Sequence, residues 1–175
     1  LDYLLHYPYG CVEQTTSSTL PWLSTQQLHE ALPQLNRSDA EIRGAIAAGM
    51  KRLLSMQTAN GGLSYWPGGK DPILWGSAYG GMALAMAERQ GVELPKERLA
   101  ALWTYLSEQL RDTAKQTNRG DLYNRSLAAY TLALAGKAEP SYHELLYGKR
   151  KQLSGDSGAL LALAMMETAG KELDD

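Results

Sequence analysis

The only cysteine of this 175-residue chain, Cys11, has a glutamine three residues after it, Gln14. Side chains three residues apart in a helical turn lie on neighbouring faces, so they can meet without straining the backbone. A thiolate at Cys11 that attacks the side-chain carbonyl of Gln14 would expel ammonia and leave the acyl group on sulfur. The pair therefore indicates an internal thioester, which stores that acyl group as an electrophile.

The flanking residues favour the same chemistry. Gly10 lets the chain turn tightly into the position of Cys11. The unpaired N–H groups and the positive dipole end of a helix that begins here would stabilise the thiolate when the thioester forms and when it breaks. Glu13 is either a carboxylate favoured by the helix dipole or a group that orients the thioester ring. We interpret Cys11 and Gln14 as the cross-linked pair, with Gly10 and Glu13 as supporting residues of the motif.

Three other classes of protein compete with this interpretation. A structural helical scaffold or binding module would leave Cys11 an ordinary, unreactive free thiol, since buried cysteines are common. A cysteine hydrolase would need a histidine held near Cys11, and it would give Gln14 no role. A prenyltransferase or terpene cyclase would share a helical barrel, but it would need acidic or metal-binding motifs that the sequence lacks.

Composition excludes several partners. The formal net charge is −2, so the composition gives no sign of the basic surface that a nucleic-acid-binding protein needs. A single cysteine cannot form an internal disulfide or a cysteine-rich zinc site, and we expect neither a metal nor a cofactor. The longest purely apolar run, Ala159–Met166, is too short to span a bilayer. Because the chain does not begin with Met, we interpret it as a piece of a longer protein.

Apolar spacing and capping signals predict helices throughout the chain. Pro21 is expected to kink or restart the first helix. The predicted helices are about Cys11–His29, Ser38–Leu54, Asp71–Gly91, Pro95–Leu110, Asp121–Ala135, Pro140–Leu153 and Asp156–Ala169.

Three of these segments, around 78–87, 128–135 and 158–166, are variants of one Ala/Gly-rich theme. They are apolar nearly all round and are therefore expected to be buried, whereas the helices between them carry charges on one face. Alternating buried and half-exposed helices predict an all-α fold, an α/α toroid in which inner helices are wrapped by outer ones.

The segment Tyr7-Pro8-Tyr9-Gly10-Cys11-Val12-Glu13-Gln14 resembles the G-C-x-E-Q motif of the alpha-2-macroglobulin and complement thioester domains. The Tyr-Pro-Tyr lead-in looks most like the bacterial members. The resemblance also implies a toroid of helical hairpins. Seven helices are fewer than a complete ring of that family requires. Residues 1–175 are thus expected to be a truncated domain that continues beyond the C-terminus.

The resemblance implies a covalent trap for proteases. In the family, cleavage of a bait segment elsewhere in the protein exposes the thioester, and a lysine of the target protease attacks the acyl carbon of Gln14. The reaction happens once, so the protein would be an endopeptidase inhibitor with no catalytic residues. The expected partners are target proteases and the other domains that shield the thioester. The expected role is bacterial defence, in the periplasm, as a lipoprotein anchored in the inner membrane.

Two further sets of residues bear on reactivity. Tyr7 and Tyr9 are expected to shield the thioester from water, unless they only pack the entry to the first helix. Some complement-type members use a downstream histidine that diverts the thioester to hydroxyl groups, and its expected place, Thr113–Asn124, contains none. His6, His29 and His143 do not match, so amines are the expected nucleophiles.

The loop 60–69 contains paired glycines and the aromatic residues Tyr65 and Trp66. Glycines allow positive φ, and the aromatic side chains could form an apolar flap. The favoured interpretation is a long turn between hairpins with both aromatic side chains tucked onto the core.

Overall fold

The computed structural model describes residues 10–28, 38–112 and 118–174, without the side chains of 25–28 and 171–174. Its helices, in chain order, are α1 Val12–Leu28, α2 Asp39–Leu54, α3 Leu74–Arg89, α4 Lys96–Arg111, α5 Arg119–Leu134, α6 Pro140–Gly148 and α7 Gly155–Asp174. Within these residues, extended pairing is limited to two isolated bridges in the loop between α2 and α3. The predicted all-α class is confirmed.

The helices form two layers. The odd-numbered helices form an inner row in which α1 contacts α3, α3 contacts α5 and α5 contacts α7, and each even-numbered helix packs against its chain neighbours. The helices of the inner row approach closely because their residues are small. As a result, the Thr131 hydroxyl of α5 can donate a hydrogen bond to the Ala78 backbone carbonyl of α3, at 2.9 Å. This alternation of inner and outer helices is the one predicted for an α/α toroid.

Local signals explain where several helices begin. Ser38 and Glu41 form a capping box at α2, in which each side chain accepts from the other residue's backbone N–H, at 3.3 and 2.8 Å. The Asn118 side chain caps α5 by accepting from the N–H of Asp121 at 3.0 Å. Pro21 lies inside α1, which continues without a break, so of the predicted kink or restart the structure excludes the restart.

Three other predicted helix boundaries are wrong: the start of the third helix and the C-terminal ends of the sixth and seventh. Pro72 is not in the first turn of α3: it pairs with Ser64 in one of the isolated bridges, and the helix begins at Leu74. The sixth helix ends at Gly148 instead of Leu153. The seventh continues through Gly170 to Asp174, because a glycine stops a helix only when the chain there turns away.

The last inner helix is only partly covered. Leu161 and Ala164 of α7 are buried, but the three large apolar side chains Leu163, Met165 and Met166 are exposed. The prediction that the Ala/Gly-rich helices are buried therefore holds for α3 and α5 and fails for α7. In the described ranges, none of the helices is both long enough and apolar enough to cross a membrane.

The buried side chain of Arg125 links the outer helix α4 to the inner helix α5 through hydrogen bonds. The guanidinium of Arg125 in α5 donates to the carbonyl groups of Gln109, Leu110 and Asp112 at the end of α4. The last carbonyls of a helix have no partner within the helix, so this contact satisfies them. Burial lowers the pKa of Arg125 below its ordinary value.

Candidate functional site

Cys11 lies directly before the first residue of α1 and is buried, with 3% of its surface exposed. Its carbonyl accepts the hydrogen bond from the Thr15 N–H at 2.9 Å that starts the helix. Cys11 is therefore at the N-terminal end of α1, where backbone N–H groups lack helical partners and favour a negative charge. The sequence prediction placed it at this position.

The side chain of Gln14 folds back over the start of the helix. Its Oε1 accepts a hydrogen bond from the backbone N–H of Cys11 at 3.2 Å. Glu41 makes the same contact to the N–H of Ser38 in the capping box of α2. Cys-x-x-Gln thus adopts half of a capping box in which a thiol replaces the serine hydroxyl. This geometry brings the carboxamide of Gln14 next to residue 11, where a thioester would join the two side chains.

The carbonyl oxygen of Gly10 accepts three hydrogen bonds. The Thr15 hydroxyl donates at 3.3 Å, and Nε and Nη2 of Arg52 donate at 3.4 and 3.2 Å. A Cβ at position 10 would lie 2.8 Å from the Thr15 Oγ1, so glycine is required for close approach. Arg52 is not among the residues predicted from the sequence, because a basic residue in the last turn of a helix is usually explained by the helix dipole.

The start of α1 is fixed against α3. Val12 is fully buried and packs into a groove that exists because Gly76 and Gly80 have no side chains. A Cβ on Gly76 would lie 2.8 Å from Val12 Cγ1, and one on Gly80 would lie 3.4 Å from Val12 Cγ2. Because Cys11 is bonded to Val12, this close contact determines where the thiol lies.

The loop between α2 and α3 covers the same end of α1. The carbonyl of Tyr65 accepts the N–H of Val12 at 3.0 Å, which satisfies one of the unpaired donors of the helix. The side chains of Tyr65 and Trp66 are 41% and 48% exposed and pack edge to face, with ring centroids 5.7 Å apart. The prediction that both aromatic side chains are tucked onto the core is therefore wrong.

The pKa of Tyr65 is sensitive to the proposed reactive residues. A hydrogen bond to the side chain of Cys11 is the main cause that raises the pKa of Tyr65, and the negative charges of Cys11 and Glu13 add to it. In the sequence, Tyr65 is one of two aromatic residues in a loop that could form an apolar flap. Nothing in the local pattern relates it to Cys11, because the two meet only through the fold.

We expect the phenol of Tyr65 to ionise above its ordinary pKa of 10.0 when Cys11 is not cross-linked to Gln14, and closer to that value in Cys11→Ala. The substitution removes the hydrogen bond and the thiolate charge that disfavour the phenolate. Titration of tyrosine absorbance, with Tyr65→Phe subtracted to isolate this residue, measures the change. Glu13→Gln should lower the pKa by less, and an unaltered titration in Cys11→Ala would contradict the contact.

The other predicted site residues have different outcomes. Glu13 is exposed on α1 beside Gln14. Tyr7, Tyr9, His6 and His29 lie outside the described residues. His143 is buried in α6, and burial lowers its pKa, so it is neutral at pH 7.

Comparison with known proteins shows which family the chain belongs to. Residues 1–114 match the family model for the A-macroglobulin TED domain, the thioester-containing domain. The chain belongs to this family. The alpha-2-macroglobulin of Escherichia coli K12 is 38% identical over 94 residues, which are 53% of this chain and 6% of that relative.

Solved structures of bacterial alpha-2-macroglobulins confirm the toroid. The native E. coli protein matches with a TM-score of 0.81 and 30% identity, over 95% of this chain and 11% of that chain. Salmonella alpha-2-macroglobulin reacted with methylamine matches with a TM-score of 0.82 and 31% identity, over 95% of this chain and 11% of that chain. The TED chain described here therefore spans only a small part of the proteins that it resembles.

Proposed function

We propose that Cys11 and Gln14 form an internal thioester that traps proteases covalently as part of a longer protein. The observation that carries this proposal is the 3.2 Å hydrogen bond from the Cys11 N–H to Gln14 Oε1, which holds the carboxamide beside residue 11. The position of Cys11 supports it as well, because a helix N-terminus favours a thiolate and burial keeps water away from the sulfur.

The reaction has two steps. In the first, the Cys11 thiol gives up its proton and the thiolate attacks the carboxamide carbon of Gln14. The carbon–nitrogen bond then breaks, and the nitrogen takes up a proton in place of the one lost by the thiol and leaves as ammonia. In the second, an amine attacks the same carbon, the carbon–sulfur bond breaks, and Cys11 leaves as a thiolate. The amine loses a proton and remains attached to Gln14 as a substituted amide. Each domain reacts once, so the protein acts as an inhibitor and not as a catalyst.

We infer that the target amine is a lysine side chain of the attacked protease. The Salmonella relative was solved after reaction with methylamine, which shows that a related protein takes an amine. Bait cleavage, shielding by other domains and by Tyr7 and Tyr9, and a periplasmic, membrane-anchored location are further parts of the proposal. They extend beyond the residues described.

Intact mass of the full-length protein tests the proposal. The thioester form should weigh one ammonia less than the sequence, and methylamine should add its own mass and release one titratable thiol. A mass equal to that of the plain sequence, with Cys11 titratable from the start, would instead support a helical scaffold with an unreactive cysteine.

We also expect the thioester to prefer amines over hydroxyl groups. Formation of an acyl-imidazole at a histidine would favour hydroxyl groups, but the only histidine among the described residues is His143, which is buried and lies in the outer helix α6. Methylamine and glycerol at equal concentration and neutral pH, compared by mass, provide the measurement. Faster incorporation of glycerol would show this expectation to be wrong.

A further inference from the structure

The peptide unit between Gly10 and Cys11 joins two sets of hydrogen bonds. On one side its carbonyl oxygen accepts from Arg52 and Thr15. On the other side its N–H donates to Gln14 Oε1. A peptide unit is planar, so the donors that hold the carbonyl also set the direction in which the N–H points.

Gln14 Oε1 is the oxygen that gains charge during the proposed reaction. Attack on the Gln14 carbon, by the Cys11 sulfur or by an amine, converts its carbonyl oxygen into a tetrahedral oxyanion. A backbone N–H already aimed at that oxygen stabilises this state without rearrangement. The N–H of Cys11 is such a donor at 3.2 Å.

We propose that Arg52 and Thr15 are positioning residues that orient and polarise the Gly10–Cys11 peptide, so that its N–H stabilises the oxyanion on Gln14. This inference rests on the proposed thioester function. It adds to that function an oxyanion donor, the N–H of Cys11, and a cation distant in sequence, Arg52, that makes this N–H a stronger donor.

The strengthening has a physical cause. A donor to a peptide carbonyl draws electron density toward oxygen and makes the N–H of the same unit a better donor, which is the origin of cooperativity in hydrogen-bond chains. A charged donor has the larger effect, so Arg52 should contribute more than the neutral hydroxyl of Thr15. In the described part of the chain Arg52 forms no ion pair, so its charge is not neutralised there by a carboxylate.

The test measures methylamine incorporation in the full-length protein. Arg52→Gln should still form the thioester and react about tenfold more slowly, a fraction of the loss seen when an oxyanion donor is removed outright. Thr15→Val should slow the reaction by a smaller factor, and Arg52→Lys should restore part of the rate. Arg98→Gln is the matched control: Arg98 also donates to a backbone carbonyl, that of Leu54, but away from Gly10, so its rate should equal wild type.

The outcomes separate this inference from the proposed function. If wild type has no missing ammonia, the proposed function fails and this inference fails with it. If the thioester forms but Arg52→Gln and Thr15→Val react at the wild-type rate, only this inference is overturned. An Arg52→Gln protein that folds without a thioester, which Arg52→Lys restores, also supports it, because formation passes through the same oxyanion. Should Arg52→Gln not fold, the rate of Thr15→Val decides, and a wild-type rate overturns the inference.

Discussion

Gln14→Ala in the full-length protein is expected to abolish covalent capture of amines and proteases completely. Without the carboxamide there is no carbon for the Cys11 thiolate to attack, so no thioester forms. The mass should equal that of the plain sequence, methylamine should add nothing, and Cys11 should titrate as a free thiol at once. Protease treatment should give no covalent adduct on a denaturing gel.

A second variant separates the covalent chemistry from the capping contact. A glutamate at position 14 can still accept the N–H of Cys11, which Gln14 accepts at 3.2 Å, and a carboxylate near a helix N-terminus is favourable. A carboxylate is a poor electrophile, however, so Gln14→Glu should fold with unreduced stability and trap nothing. The exposed Gln152→Ala is the neutral control. Full methylamine incorporation by Gln14→Glu would rule out Gln14 as the acyl residue.

Gly61→Ala is expected to lower the free energy of unfolding by about 3 kcal/mol, through backbone strain and overpacking together. Gly61 has φ +92°, which other residues rarely adopt, and its Cβ would meet the backbone carbonyl of Ala101, with the carbon 2.6 Å away. A backbone obstacle cannot rotate aside as a side chain can. The loop would have to move. Its movement would displace Leu63, which is buried in the core, and Tyr65, whose carbonyl bonds the first residue of α1.

Two other glycines are matched controls for this measurement. Gly68 also has positive φ, +75°, but nothing lies near its Cβ position, so Gly68→Ala should cost only about 1 kcal/mol. Gly44 lies in α2 with open space around it, and Gly44→Ala should stabilise by about 0.5–1 kcal/mol. Urea unfolding followed by circular dichroism gives the three values. A cost for Gly61→Ala no larger than that for Gly68→Ala would show that the loop gives way freely.

The helices were predictable wherever a local signal decided them. Ser38 and Glu41 mark the start of α2 through contacts between residues three apart, and the structure has both contacts. Prediction of the start of α3 failed because a contact outside the local helical pattern competed. The Asp71-Pro72 pair has the pattern of a helix start, but the bridge between Ser64 and Pro72 keeps the chain extended until Leu74. The composition of α7 indicated burial, whereas burial depends on what covers a helix.

The family of folds follows from the sequence alone, and so does the prediction that Cys11 and Gln14 are the reactive pair. The spacing of Cys11 and Gln14 brings their side chains together in any helix that starts there, because an interaction at i and i+3 depends only on the local turn. Arg52 and Tyr65 could not be found in this way. They reach Gly10, Cys11 and Val12 from α2 and from the loop after it, so only the packing of α1 against α2 and α3 decided that they belong to the site.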